Sequence, residues 1–150
     1  MAVPQPVIAA LLPVLHIAEG CELQAYWDDI GKVWTIGWGH TGPEVVPGLV
    51  WTQDACDAML QQDAASHWNE LVNSYPPVQS LSPNRQAALL DFVYNEGIER
   101  FQKSTLRADL LAGNISDVCT QLMRWDVGGG KVLAGLVRRR KAECALWNLG

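Results

Sequence analysis

The stretch Glu19–Thr41 reads E-G-C-E-L-Q-A-Y-W-D-D-I-G-K-V-W-T-I-G-W-G-H-T and separates two kinds of structure. Before it, residues 7–19 are apolar nearly all round, the pattern of a helix buried at a domain centre. Glu19-Gly20 closes that helix. A carboxylate on the last turn opposes the helix dipole, so Glu19 is poorly placed for simple stability. Within the stretch, Tyr26, Trp27, Val33, Trp34, Thr35, Ile36 and Trp38 favour extended chain. Asp28-Asp29-Ile30-Gly31 supplies a turn between them. A short hairpin or small antiparallel sheet is expected over residues 25–41. Beyond it, Gly42, Pro43, Pro47 and Gly48 make residues 42–51 a loop.

From Thr52 the pattern is helical. Thr52 caps, Asp54 suits the first turn, and Ala55, Met59, Leu60, Ala64, Trp68, Leu71 and Val72 recur at helical spacing. Pro76-Pro77 stops this helix near Tyr75. Ser82-Pro83 is an N-cap followed by proline at the first helical position, and the helix it opens runs to Gly97. Ser104 starts a shorter helix that stops at Gly113. Another spans about 115–125 and stops at Gly128-Gly129-Gly130, and a last one covers about 133–147. One helix, a small sheet, then helices is an α+β fold with a segregated sheet. A single domain is expected. Its small N-terminal lobe covers about 20–51 and a long linking helix about 52–74. The larger helical lobe covers about 75–150, with helix 7–19 packed back onto it.

The 150 residues are 49% apolar and 18% charged, which is enough to bury a core and excludes a disordered tail. Eleven Lys and Arg against sixteen Asp and Glu give a net charge of −5, so no basic field recruits nucleic acid. Cys21, Cys56, Cys119 and Cys144 form no CxxC pair and no metal-ligand spacing, and read as reduced thiols of a protein made in the cytosol. The apolar N-terminus lacks a basic leader and is interrupted by Pro4, Pro6, Pro13 and His16. It falls short of the roughly 18 uninterrupted apolar residues of a membrane span. A buried helix starting or kinking near Pro13 is expected rather than an anchor.

Two carboxylates on different elements, Glu19 closing a helix and Asp28 at a sheet edge, fit general acid–base hydrolysis of a glycosidic bond. The acid needs an apolar or partly buried setting, which the helix around Glu19 offers, while the polar turn keeps Asp28 ionised. Thr35 offers a hydroxyl that orients a water. His40, after a strand, reads as a structural hydrogen-bond partner rather than a base, and Gly37 and Gly39 permit close backbone approach. Asn95 reads from its position before Glu96-Gly97 as a helix-terminal amide. Tyr26, Trp34 and Trp38 can stack on sugar rings, with core packing taking at least one of them. Arg138-Arg139-Arg140-Lys141 is the only basic run. Four consecutive residues cannot share one helix face, so at least one points inward.

The words around these residues closely resemble the signature of phage-type lysozymes, the endolysin family of T-even and lambdoid phages: Glu-Gly, then Ala-Tyr-x-Asp, then Thr-Ile-Gly-x-Gly-His. F-V-Y-N-E-G (92–97), F-Q-K-S-T-L (101–106) and G-G-K-V-L-A-G-L-V-R-R-R-K-A-E (129–143) resemble its helical-lobe motifs in the same order. The resemblance implies a two-lobed muramidase that hydrolyses the β-1,4 bond between N-acetylmuramic acid and N-acetylglucosamine in peptidoglycan. It implies Glu19 as general acid, Asp28 supporting the attacking water and the developing positive charge, and Thr35 positioning that water. It implies inversion, with the carboxylates about 6.5–9.5 Å apart. Asn95, Tyr26 and Trp34 are then substrate contacts. His40 and Arg139 support the site; one arginine of the run contacts Glu19 or its neighbour, which of Arg138, Arg139 and Arg140 turns inward being open, while the others attract the anionic wall.

One departure matters. The family spaces its Asp and Thr six apart, whereas Asp28 to Thr35 is seven and Asp29 to Thr35 is six. Ala25-Tyr26 and Gly31 favour Asp28, with one residue inserted in 31–34. No cofactor or metal is implied. A monomer is expected, made in the host cytoplasm and acting on the wall in the periplasm after release through a holin-type pore. A lytic transglycosylase would need no Asp/Thr pair to hold water, and a non-catalytic wall-binding module would need none of the three residues.

Overall fold

The computed structural model describes residues 1–150. Helix α1 spans Gln5–Glu19, with Pro6 in its first turn and Pro13 inside it. Pro13 has no N–H for Ala9, yet both residues are exposed, so the freed Ala9 carbonyl opens to water and the helix continues. The expected start near Pro13 is therefore corrected to Gln5. So is burial all round: Val7, Ile8, Leu11 and Leu15 form one buried stripe, while Ile17 is 87% exposed. Gly20 takes φ +61° and ends the helix.

Strand β1 (Glu22–Asp28) pairs antiparallel with β2 (Val33–Gly37), and β2 pairs with β3 (His40–Thr41). The register sets Tyr26 against Thr35, Trp27 against Trp34 and Asp28 against Val33. Between Glu22 and Tyr26 the ladder slips, and the free edge there bonds the 49–51 segment instead: Ala25 N donates to Leu49 O and Trp51 N to Leu23 O. The strand thus begins three residues before the expected Ala25. The turn after Asp28 holds Lys32 at φ +56°, the one non-glycine residue in the left-handed region.

The long helix α2 (Gln53–Ser74) is capped by Thr52, whose side chain accepts from Ala55 N at 3.1 Å. Pro76-Pro77 then starts a 3₁₀ turn over Pro76–Ser80. Helix α3 (Pro83–Glu96) opens on Ser82, and α5 (Thr105–Leu111) opens on Ser104. Between them lies α4 (Ile98–Gln102), a short helix absent from the expected elements. After α6 (Val118–Met123) the glycine run does more than break a helix. It turns a two-stranded hairpin, β4 (Val127–Gly128) with β5 (Lys131–Val132), through left-handed Gly129 and Gly130. Helix α7 (Ala134–Leu149) closes the chain.

The helices share one core of 24 buried residues, drawn from α1 to α7 with Val3, Tyr75 and Val78 from the segments outside them. The sheet keeps a core of three, Ala25, Ile36 and Val45. Burial scales with the apolar stabilisation, so the helical core sets the stability and the sheet rides on its edge. The C-terminal ends of α1 and α3, the middle of α7 and one sheet face meet there.

Candidate active site

Alternation along the strands decides which side chains face the helices. Ala25, Trp27, Trp34 and Ile36 share one face. Ala25 and Ile36 fill the small core, Trp34 packs on it, and the Trp27 and Trp34 rings meet edge-on at 5.9 Å. Tyr26, Asp28 and Thr35 share the other face. Trp34, expected as a sugar contact, is partly buried and packs on the sheet's own core, on the face opposite Tyr26, Asp28 and Thr35. Trp38 is engaged elsewhere too, stacked on His16 at 4.2 Å and donating its indole N–H to Asp57 at 2.8 Å.

Asp28 is held by its own turn. Its Oδ1 accepts from the backbone N–H of Ile30 (3.0 Å) and of Gly31 (3.1 Å). Its Oδ2 stays open because position 31 has no side chain: a Cβ there would stand 2.8 Å from that oxygen. Asp29 is 83% exposed in its side chain and pairs with Lys32 at 2.9 Å. Thr35 is buried, and its hydroxyl donates to the Val33 carbonyl at 3.3 Å, which leaves the oxygen's lone pairs as acceptors.

Glu19 emerges from the last turn of α1 into a different setting from the apolar one expected. Arg139 Nη1 donates to its Oε1 at 2.5 Å. Gly39, at φ +87°, lies so close that a Cβ would stand 2.6 Å from Oε2. The Tyr26 hydroxyl shares this neighbourhood. Burial, then the charges of Glu19, Asp28 and Glu22, push it above the usual phenol range. Tyr94, on α3, ties the two parts together by donating to the Trp38 carbonyl at 2.7 Å. Burial, then Asp63 and Glu19, push that phenol far upward.

Two cavities adjoin along this seam. One, of about 310 Å³, is lined by Asp28, Ile30 and Gly31 on the sheet side and by Asn95, Glu96, Arg100 and Leu136 on the helical side. The other, of about 390 Å³, is lined by Gly39, His40, Thr41 and Asp63 with Tyr94, Asn95 and Glu96. Asn95 and Glu96 border both, so the two form one groove. Asn95 Oδ1 accepts from Arg140 Nη2 at 2.5 Å, which leaves its amide N–H groups to face the groove. Ile30 closes one end, its methyl lying where a Cβ at Gly128 would meet it at 3.0 Å.

His40 is clamped between carboxylates, Nδ1 to Asp63 at 2.7 Å and Nε2 to Glu44 at 2.6 Å. Burial works against the imidazolium, yet Glu44 and Asp63 outweigh it and raise its pKa. It joins β3 to α2. Of the basic run, Arg138 and Lys141 are exposed while Arg139 and Arg140 both turn inward. Arg139 grips Asp91 with Nε and Nη2, both at 2.9 Å, and reaches Glu19 with Nη1. Asp91, Arg140 and Glu143, all fully buried, were not among the expected site residues. The available signal was a carboxylate inside an apolar helix at Asp91 and a Glu one turn beyond two arginines at 143. No group of three or more His, Cys, Asp or Glu stands arranged to hold a metal ion.

A helical core, a small sheet on its edge and a groove with a carboxylate on each side define a lysozyme-like hydrolase. The phage lysozyme family model matches residues 16–143. The SAR-endolysin of Bacteriophage PS119 is 37% identical over 131 residues, 86% of this chain and 77% of that protein. The endolysin of Bacillus phage PZA is 38% identical over 133 residues, 88% of this chain and 51% of the relative. Among solved structures, the muramidase domain of SpmX from Asticaccaulis excentricus superposes with a TM-score of 0.79 at 28% identity, covering 98% of this chain and 97% of that one. The active form of the P1 phage endolysin Lyz shares the fold, with a TM-score of 0.81 at 21% identity over 100% and 97% of the two chains. The chain belongs to the phage lysozyme family and is an endolysin with muramidase activity, a lysozyme-type glycoside hydrolase.

Proposed function

We propose that this endolysin hydrolyses the β-1,4 bond between N-acetylmuramic acid and N-acetylglucosamine of peptidoglycan with inversion, using Glu19, Asp28 and Thr35. The observation that carries this reading is the shared sheet face. Asp28 shares it with Thr35 and Tyr26 and lines the groove opposite Asn95 and Glu96, while Glu19 adjoins Tyr26. Glu19 gives its proton to the leaving oxygen. A water held by the open Oδ2 of Asp28 and by the Thr35 lone pairs attacks the anomeric carbon from the opposite side, and Asp28 faces the positive charge that grows there. Asn95 offers amide donors to the sugar from the groove wall, and Tyr26 offers its ring from the sheet. His40 and Arg139 hold their neighbours in place. The two lobes act as one catalytic domain.

The balance needs only the polymer and water, so no cofactor enters. No helix is long and apolar enough to cross a membrane. In our reading the chain is a monomer that is made in the host cytoplasm, leaves through a holin-type pore and acts on the wall in the periplasm.

The test is lysis of outer-membrane-permeabilised bacteria together with analysis of the products. Wild type clears the suspension, and Glu19→Gln fails because an amide has no acid proton to give. The first-formed reducing end carries the α configuration by NMR. A β product removes inversion, anhydro ends by mass spectrometry remove hydrolysis, and an active Glu19→Gln removes the assignment of Glu19.

A further inference from the structure

Beneath Glu19 lies a fully buried charge cluster that the cleavage scheme leaves unused. Asp91 on α3 holds Arg139 by two parallel N–H···O bonds of 2.9 Å. This fork pairing fixes the guanidinium plane. The remaining Nη1 points at Glu19, 2.5 Å away. Behind Asp91 stands Glu143 of α7, with no exposed surface. Neither Glu143 oxygen has a hydrogen-bond partner, and Arg140 Nε stands 3.1 Å from Oε1 without the alignment of a hydrogen bond. Arg140 is itself spread over other partners: the Phe92 ring at 5.1 Å, Asn95 at 2.5 Å and Glu96 at 3.7 Å. A charged Glu143 would therefore be a buried anion without adequate compensation.

We propose that Asp91 is a positioning residue for glycosidic cleavage: it occupies two donors of Arg139 so that only one reaches Glu19. This rests on the reading of Glu19 as the acid. The titration of the pair agrees with the geometry. Burial and then the Asp91 charge push Glu143 well above the carboxylate range. Asp91 is held below that range because Arg139, Glu143 and Arg140 together outweigh its burial.

The groups that face this cluster are Glu19 from α1, Tyr26 from β1, Tyr94, Asn95 and Glu96 from α3, and Arg139, Arg140 and Glu143 from α7. Of these, only Arg139 touches both Asp91 and Glu19. Removing the Asp91 charge thus leaves a full guanidinium charge on Glu19 alone, which favours its carboxylate over its acid form.

The experiment is steady-state kinetics of Asp91→Asn on soluble peptidoglycan fragments across pH, with melting as a fold check. We expect kcat to fall about tenfold with KM within about twofold, and the alkaline limb of the rate profile to move about one pH unit toward acid. An unmoved limb, or one that moves toward base, overturns the proposal. Should Asp91→Asn not fold, Arg139→Lys carries the test: a single ammonium cannot hold both Asp91 oxygens and reach Glu19 at once, so kcat falls about tenfold with KM within about twofold. A kcat within about twofold of wild type overturns the proposal. Glu19→Gln is run alongside. If it still cleaves, the acid assignment falls. If it is inactive and the Asp91→Asn limb stays put, the inference alone falls.

Discussion

Two glycines with the same backbone angle separate strain from catalysis. Gly39 and Gly48 both sit at φ +87°. A Cβ at Gly48 meets nothing within 4 Å, whereas one at Gly39 stands 2.6 Å from Glu19 Oε2 and 2.8 Å from its Cδ. Alanine at either position forces an L-residue into the left-handed region, at about 1–2 kcal/mol. For a chain of this size that lowers Tm by about 2–8 °C. Only Gly39→Ala adds a collision. Ordinary contact begins near 3.4 Å, so the Glu19 carboxylate must retreat by about 0.8 Å. A displacement near 1 Å from reacting geometry costs up to about a hundredfold in rate. Both variants stay folded at 25 °C, because domain stability is about 5–15 kcal/mol. The expected result is a matched fall in Tm with lysis rates apart: Gly48→Ala near wild type and Gly39→Ala down about 30–100-fold. Turbidity clearance and a thermal melt decide it. Gly39→Ala retaining lysis within threefold of Gly48→Ala would refute the claim that Glu19 must sit where Gly39 allows it.

The choice between the adjacent aspartates is tested by amide substitution. Asp28→Asn should lose about 10²–10⁴-fold in rate, while Asp29→Asn, removing only an exposed pair with Lys32, should keep it. The reverse order would move the second carboxylate to Asp29. His40 gives a pH signature. Its folded pKa lies above the ordinary 6.5, so the imidazolium stabilises fully below about pH 6.5, and that contribution is lost as pH rises through the folded value. The Tm gap between wild type and His40→Gln should therefore shrink from pH 5 to pH 9, and a gap that widens contradicts the two-carboxylate clamp. Burial, then Cys21, pushes the Cys56 thiol up to about 11, and burial, then Cys119, pushes Cys144 up to about 12. At pH 8 the Cys56 thiolate fraction is about one in a thousand. A disulfide reagent at pH 8 should label Cys56 and Cys144 last, read by peptide mass mapping, and early labelling of Cys56 would count against its buried position.

What was legible in the sequence was local chemistry. Thr52, Ser82 and Ser104 cap because the group each satisfies lies three residues on, and the Asp28 turn closes on its own neighbours. Features set by partners distant in the chain were not legible. Trp34 reads as an aromatic beside a strand motif, and only the pairing of Trp27 with Trp34 turns it into the small core. Pro13 reads as a start or a kink, and what lets the helix begin about two turns earlier is solvent at Ala9, a tertiary fact. Helix α4 and the 127–132 hairpin are too short to show a period. The basic run required at least one inward side chain without saying which, and it supplies two arginines, because α3 carries Asp91 and Asn95 one turn apart to meet them.

Those two arginines change the meaning of the chain's charge. An acidic protein whose substrate lies in an anionic wall invites a search for a compensating positive patch. The 138–141 run is the obvious choice, yet Arg139 and Arg140 are spent on internal carboxylates and only Arg138 and Lys141 face outward. Lys32 and Arg100 are paired with Asp29 and Glu96. The run is thus mainly a device of the interior. Its cations hold the glycosidase carboxylate and the groove-wall amide from behind, in a low-dielectric setting where each contact is directional and shielded from salt. Long-range attraction is worth little to an enzyme surrounded by its own polymer, whereas placing Glu19 to within a fraction of an ångström is worth decades of rate. On that comparison the basic residues sit where they have the larger effect.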